Sequence, residues 1–363
     1  MRPDAADGPQ RTAEALLDPL RSRIDDVLVG FLDARRAETA ALAPEAAALI
    51  DEISRLLRAG GKRIRPALCY WGYRATGTPD GEAILRPAAA LELLHTFALI
   101  HDDVMDEAST RRGVETSRVA FASASASGSA SGEPMPGERV ARAAAILAGD
   151  LAAALADELF FEAELPREVL DRAFARLGRM RLEMASGQFL DVMAGREARA
   201  GGAAGVGTDE ETARRISALK TGSYTIEGPL QIGAILGGGS IELLTMLSRF
   251  GAPLGEAFQI GDDLDGVVGA DDALEAGGAN VVLAIASRLA TPAERRMLED
   301  PETRTAEEVR AVIASTGAAF RALELRDSLV RRARAALDPS LLPESSLAAL
   351  GQAADLVSAP ESE

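Results

Sequence analysis

The stretch LHTFALIHDDVMDEASTRRG, residues 94–113, gathers the groups in this chain best suited to chemistry. It holds His95 and His101, the two histidines of the 363-residue chain, with three aspartates in five positions and two adjacent arginines. On a helix, Asp102 and Asp106 stand one turn apart on one face, and Asp103 sits beside them. Carboxylates stacked in this way repel unless a cation holds them. Oxygen-only ligands select a hard ion, and a sparse set with room for water and phosphate selects Mg2+ rather than zinc. A solvated acidic face is the alternative reading of three such aspartates. The preceding LELLHTFALI is strongly apolar, however, which places them on a buried helix. At about 100° per residue, His95 falls within about 20° of Asp102 on the helical wheel. His95, Asp102 and Asp106 therefore share a face, while His101 points elsewhere. Arg111 and Arg112 follow about a turn later, as forked donors that match phosphate oxygens. An acid cluster with an arginine pair is the make-up of a site for a Mg2+-bound diphosphate.

Such a site needs rigid elements, and the periodicity supplies helices. Apolar residues recur at spacings of three and four in RIDDVLVGFLDARRAETAAL, AAALELLHTFALIHDDVMD and AEEVRAVIASTGAAFRALELRDSLVRRARAAL. Alternating β-branched runs are nearly absent and aromatics make up 4% of the chain. The expected fold is all-α, a single large helical bundle. With 47% hydrophobic residues the chain can fill a sizeable core. Residues 11–358 read as one domain, with a flexible Ala/Ser/Gly insert at about 122–138 and a loop at about 194–210. Residues 1–10 and 359–363 read as disordered ends. A net charge of −17 argues against nucleic acid as a partner. The lone Cys69 fits a reducing, cytoplasmic setting. No apolar run approaches about 20 residues, so no membrane span is expected, and MRPDAADGPQ lacks the apolar centre of a signal peptide.

The stretch around Asp102 resembles the first aspartate-rich motif of the trans-isoprenyl diphosphate synthases, the polyprenyl synthetases. Other segments agree with that family in type and order. GGKRIRP (60–66) resembles its Gly-Gly-Lys-x-x-Arg-Pro motif, and ILAGDLAAALADELF its Gly-Asp helix. GQFLD (187–191), LKTGSY (219–224) and FQIGDD (258–263) resemble its later motifs. One such motif is weak; six in order, over roughly residues 50–290, are specific. The chain has only two lysines, Lys62 and Lys220, and both fall where the family uses lysine.

The resemblance implies a Mg2+-dependent prenyltransferase that joins an allylic diphosphate to isopentenyl diphosphate, working as a homodimer. Asp102, Asp103, Asp106 and Asp262 would bind Mg2+ on the allylic diphosphate. Arg111, Lys220, Thr221 and Gln259 would face the same group, with Lys220 and the four aspartates as the catalytic set. Lys62, Arg65, His95 and Arg112 would hold isopentenyl diphosphate. Phe97 and Ala98, one turn below the aspartates, would limit product length, since a helical turn rises ~5.4 Å, close to one isoprene unit. A bulky residue five before the first aspartate, beside a small one, resembles enzymes making C15 to C20 products, and C20 is favoured.

Two departures stand out. The second acidic motif reads DDLDG, with Gly266 where an aspartate is usual and Asp265 one place early. The following segment, 270–286, carries no lysine or arginine where the family has a lysine-bearing loop closing over the diphosphate. Each lost charge-assisted contact could cost ~1.5–3 kcal/mol. Three readings follow: a working synthase, a relative that ionises a prenyl diphosphate for cyclisation or transfer, or a non-catalytic partner subunit of a heteromeric synthase.

Overall fold

The computed structural model describes residues 8–111, 113–127, 137–199, 209–268, 279–298 and 305–358. They are helical almost throughout; the one sheet among them is a two-stranded hairpin. The all-α expectation therefore holds. The chain gathers into two compact units, one of residues 17–67 and 81–165, the other of 1–16, 68–80 and 166–363.

The first unit is organised by α4, Leu85–Met105, which the AAALELLHTFALIHDDVM pattern forms. From Leu85 through Leu94 every residue but Arg86 is buried, as in a central helix, with Glu92 the one charged side chain taken inward. By length and composition alone the stretch Glu82–Met105 could cross a membrane, but 67% of its most apolar window is buried inside the fold. Helix α6, Glu138–Phe161, turns Ala141, Ala145, Ala148 and Ala152 inward at helical spacing. Ala145 and Ala148 pack with Ile100 of α4, and Leu49, Leu56, Val104 and Phe121 close over them. Leu49 and Leu56 belong to α2, Ala47–Arg58, and Phe121 to α5, Ser117–Ser127. Helix α1, Gly8–Leu42, buries Ile24, Leu28, Phe31 and Leu32. Past α4 the chain reverses through Glu107, a non-glycine in the left-handed region (φ 55°). Strands β1, Thr110–Arg111, and β2, Val114–Glu115, then pair antiparallel, Arg111 opposite Val114.

The second unit contains most of α3, Ile64–Arg74, then α7, Arg167–Arg199, and α8, Glu210–Ser217. A π-helical segment, Ala218–Glu227, continues α8 and leads into α9, Gly228–Leu236, and α10, Ile241–Val268. Next come α11, Val281–Leu289, α12, Pro292–Leu298, α13, Ala306–Thr316, α14, Ala318–Ala336, and α15, Glu344–Ser358. The run read as one helical stretch from Ala306 divides at Gly317, whose φ of 67° gives α13 a left-handed end. The π segment is gripped on two sides. A side chain at Gly187 of α7 would meet the backbone nitrogen of Lys220 at 2.4 Å, and one at Gly255 of α10 would meet the Gly222 carbonyl oxygen at 2.4 Å. Only hydrogen fits at either place.

Helix extends further than the sequence pattern suggests. Gly8–Gln10 open α1, residues 122–127 belong to α5, and residues 194–199 finish α7. Alanine, the strongest helix former, recurs at 122–127 and 194–199 and carries α5 and α7 on, while Pro9 falls in the first turn of α1, where its missing N–H costs nothing. Residues 1–7, 128–136, 200–208 and 359–363 lie outside the described residues, as does Arg112.

Gly255→Ala should lower stability by about 1–3 kcal/mol through overpacking. A lower urea midpoint with an unchanged slope is the expected reading.

Candidate active site

The chemically capable side chains fall into two sets, one in each unit. In the first, the hairpin that follows α4 returns Arg111 to the aspartates. Its Nη2 donates to Asp102 Oδ2 at 2.9 Å and its Nε to Asp103 Oδ1 at 2.7 Å. One guanidinium thereby offsets the repulsion of two neighbouring carboxylates. Asp103 is 3% exposed, and burial pushes its carboxyl above the usual range while Arg111 pulls the other way. Burial also works against the Arg111 charge, but Asp103 and Asp102 outweigh it and raise that guanidinium above its ordinary value. Asp106 caps α4, its N–H donating to the Asp102 carbonyl at 2.9 Å, and its side chain is exposed. Asp102 and His95 are half-buried.

His101 turns towards α6. Its Nε2 lies 3.1 Å from the Ile146 carbonyl oxygen and its ring occupies the space a side chain at Gly149 would need. Phe97, half-buried, meets the His101 ring edge-on with centroids 4.8 Å apart, and Ala98 is also half-buried. Lys62 is exposed on the connection between α2 and α3, and Arg65 is half-buried in the first turn of α3.

The second set surrounds the π segment, a widened helix of the kind found at functional sites. Lys220 Nζ donates to Asp191 Oδ2 at 2.7 Å, and the other oxygen of Asp191 accepts from the Ala279 N–H at 2.6 Å. On α10, Asp262 and Asp265 are exposed, whereas Asp263 is 6% exposed. Asp263 accepts from Gln259 Nε2 at 2.8 Å and from the Val281 N–H at 2.7 Å. Burial pushes its carboxyl up to about 6, against the two hydrogen bonds that favour the anion; Asp191 adds to the rise and Lys220 opposes it. Because a carboxylate accepts only, Asp263 fixes which end of the Gln259 amide it meets, leaving the carbonyl end to face elsewhere. Thr221 is half-buried beside Lys220. Of the lysine-free segment, residues 279 and 280 lead into α11, and 270–278 lie outside the described residues.

Among the described residues no three His, Cys, Asp or Glu side chains converge closely enough to hold an ion by themselves. The carboxylates are hard oxygen donors, each able to contribute one or two ligands to an ion that takes the rest from phosphate and water. Mg2+ is bound in that manner, so the donor set fits it.

A family model described as polyprenyl synthetase matches residues 47–317. The chain belongs to the polyprenyl synthetase family. It is 34% identical over 220 residues to the geranylfarnesyl diphosphate synthase of Aeropyrum pernix, 59% of this chain and 60% of that one. It is 35% identical over 216 residues to the farnesyl diphosphate synthase of Escherichia coli, 58% of this chain and 63% of that one. These alignments thus span about three fifths of the curated relatives' own length. Likeness in structure reaches further. The geranylgeranyl pyrophosphate synthase of Corynebacterium glutamicum, solved with isoprenyl diphosphate and magnesium, superposes with a TM-score of 0.85 at 28% identity, over 95% of this chain and 99% of that one.

The polyprenyl synthetase match takes in every candidate from Lys62 to Asp262. Three residues emerge only from the structure. Asp191 closes the GQFLD motif and orients Lys220, and Asp263 is the inward member of the FQIGDD pair. Helical phase could have found Asp263, since a residue adjacent to the outward Asp262 turns about 100° away. Arg63, buried in GGKRIRP, carries no such signal. Arg111 gives its Nε and one Nη2 hydrogen to Asp103 and Asp102, which fixes the guanidinium beside the two carboxylates.

Asp263 has a folded pKa above its unfolded value. Its contribution to stability is therefore fully present below the unfolded value and is lost as pH rises through about 6. Thermal melts should show the unaltered protein gaining on Asp263→Asn as pH falls from 7 to 4, by on the order of 2–3 kcal/mol. Parallel pH profiles for the two proteins would refute this.

Proposed function

We propose that this chain is a prenyltransferase that condenses an allylic diphosphate with isopentenyl diphosphate, releasing diphosphate and a C15 to C20 prenyl diphosphate, with C20 favoured. Residues 11–358 form one synthase domain, and Asp102, Asp103, Asp106 and Asp262 serve the allylic diphosphate. The observation that carries the reading is the Arg111 bridge over Asp102 and Asp103, which holds an acid cluster in place at the end of a buried apolar helix, within the span of the family match. The solved relative with isoprenyl diphosphate and magnesium supports the same substrate class and ion.

Asp102, Asp106 and Asp262 would hold Mg2+. When bound, the ion withdraws charge from the diphosphate oxygens as they leave. Asp103 acts through Arg111, fixing the guanidinium beside the carboxylates so that positive charge stands ready where negative charge develops. Lys220, oriented by Asp191, adds a second fixed charge. The allylic C–O bond breaks with its electron pair going to the diphosphate oxygen. The Gln259 carbonyl and the backbone carbonyls of Lys220 and Thr221 present dipoles to the carbocation, and apolar surroundings keep water from it. Lys62, Arg65, His95 and Arg112 hold the diphosphate of isopentenyl diphosphate, whose double bond forms the new C–C bond. The departed diphosphate takes the proton lost as the new double bond forms, so no protein base is required.

Exposed apolar side chains support a homodimer: Val140, Ile146 and Leu147 on α6, and Leu182, Phe189 and Val192 on α7. The single thiol, Cys69, is buried and its pKa is raised by that burial, which suits a cytoplasmic protein with no use for a disulfide.

Purified protein with Mg2+, isopentenyl diphosphate and C5, C10 or C15 primers should yield linear longer diphosphates by mass spectrometry. Cyclic hydrocarbons would instead favour ionisation for cyclisation, and no turnover without an added partner a non-catalytic subunit. Asp102→Ala should lower turnover at least a hundredfold, on the scale of losing an electrostatic catalytic group. Phe97→Ala should lengthen the product by one or more C5 units; an unchanged length refutes the ruler. Leu147→Glu should convert the dimer to a monomer by light scattering.

A further inference from the structure

The connection Gly60–Arg63 carries Lys62, and both of its ends lie in the left-handed region, Gly60 at φ 98° and Arg63 at φ 52°. The four residues form no helix or strand of their own. Their shape comes from one buried side chain. Arg63 is 7% exposed, and its guanidinium donates in three directions. Nε reaches Asp25 Oδ1 at 2.9 Å on α1, Nη2 reaches the Leu57 carbonyl at 2.8 Å near the end of α2, and Nη1 reaches Glu92 Oε1 at 3.0 Å on α4. Burial opposes the Arg63 charge, but Glu92 and Asp25 outweigh it and raise the guanidinium above its ordinary value. Glu92 is itself buried, and its other oxygen has no partner among the described residues, so Arg63 is what balances it. His95 lies three residues beyond Glu92 on the same helix. The arginine therefore ties the segment bearing Lys62 to the helix bearing His95. A planar fork is needed for three separated acceptors; a lysine ammonium lacks it.

We propose that Arg63 is the positioning residue for isopentenyl diphosphate. It touches no substrate, but it fixes Lys62 relative to His95, and so sets affinity for that substrate and not for the allylic one. The proposal rests on the reading that Lys62 and His95 hold isopentenyl diphosphate. Its selectivity follows from where the three ties lead: none of them reaches Asp102, Asp103 or Arg111. The side-chain network at the first aspartate motif stays complete when Arg63 is altered.

Two variants test it. Arg63→Gln removes the fork, and Asp25→Asn, at a half-exposed acceptor, weakens one tie without leaving a buried carboxylate unbalanced. Affinity for isopentenyl diphosphate is measured by calorimetry, KM for the allylic primer by steady-state kinetics, and global stability by thermal melting. Digestion with a lysine-specific protease reads the loop directly, because Lys62 and Lys220 are the only lysines in the chain. In Arg63→Gln, isopentenyl diphosphate should bind at least tenfold more weakly, with the allylic KM changed less than twofold. Cleavage after Lys62 should speed up at least tenfold, with cleavage after Lys220 unchanged. Asp25→Asn should move the same two readings the same way by a smaller factor, and it decides the matter if Arg63→Gln does not fold. Unchanged cleavage at Lys62, or equal weakening of both substrates, overturns the positioning role. Failure of the unaltered protein to bind isopentenyl diphosphate overturns the functional reading and the ligand named here. The protease, which needs no substrate, tells that failure apart from failure of the tie.

Discussion

Like charges held close together have to be compensated, and that constraint shapes both acidic sets in this molecule. The chain carries a net charge of −17, yet it places Asp102 beside Asp103 on one helix and Asp262 beside Asp263 on another. In each pair one member turns inward and is anchored while the other remains more open to solvent. Arg111 anchors the first pair, and Gln259 with the Val281 N–H anchors the second. Anchoring the inner carboxylate sets the direction of the outer one. The electrostatic cost of crowding acids is thereby met by fixed hydrogen-bond partners for the inner carboxylates.

The same logic governs the basic groups. Arg63, Arg111 and Lys220 each take hold of acidic partners, and they come from a connection, a short hairpin strand and a π-helical segment rather than from regular α-helix. Charged side chains at such places are held by what they touch and not by backbone regularity. Removing a partner would free the side chain as well as unbalance its charge. The polyprenyl synthetase fold supplies the walls, and these few ion pairs determine where the working groups stand.

Much of this was legible in the sequence. The apolar run of AAALELLHTFALI pointed to α4, because a helix mostly buried in a core leaves a nearly continuous apolar signature. The six motifs in order pointed to the family that the match over residues 47–317 establishes. What stayed hidden depends on contacts distant in sequence. Nothing local says that Arg111 returns eight residues to Asp103, that Asp191 holds a lysine 29 residues on, or that Arg63 reaches Glu92 across another 29. Nor does composition reveal that the Ala/Ser run 122–127, expected to begin a flexible insert, finishes α5, since alanine favours a helix wherever one has already begun.

The π-helical segment carries a consequence for how this chain can vary. A widened coil accommodates more residues per turn than its neighbours, so its length is tied to the direction in which Lys220 points. Deleting one residue between Ala218 and Glu227 would let ordinary α-helical bonding resume with the flanking helices kept nearly in phase, yet it would redirect the side chains within the stretch itself. The ammonium would swing off Asp191 although no charged residue had been touched. In this stretch, chain length is as tightly constrained as residue identity.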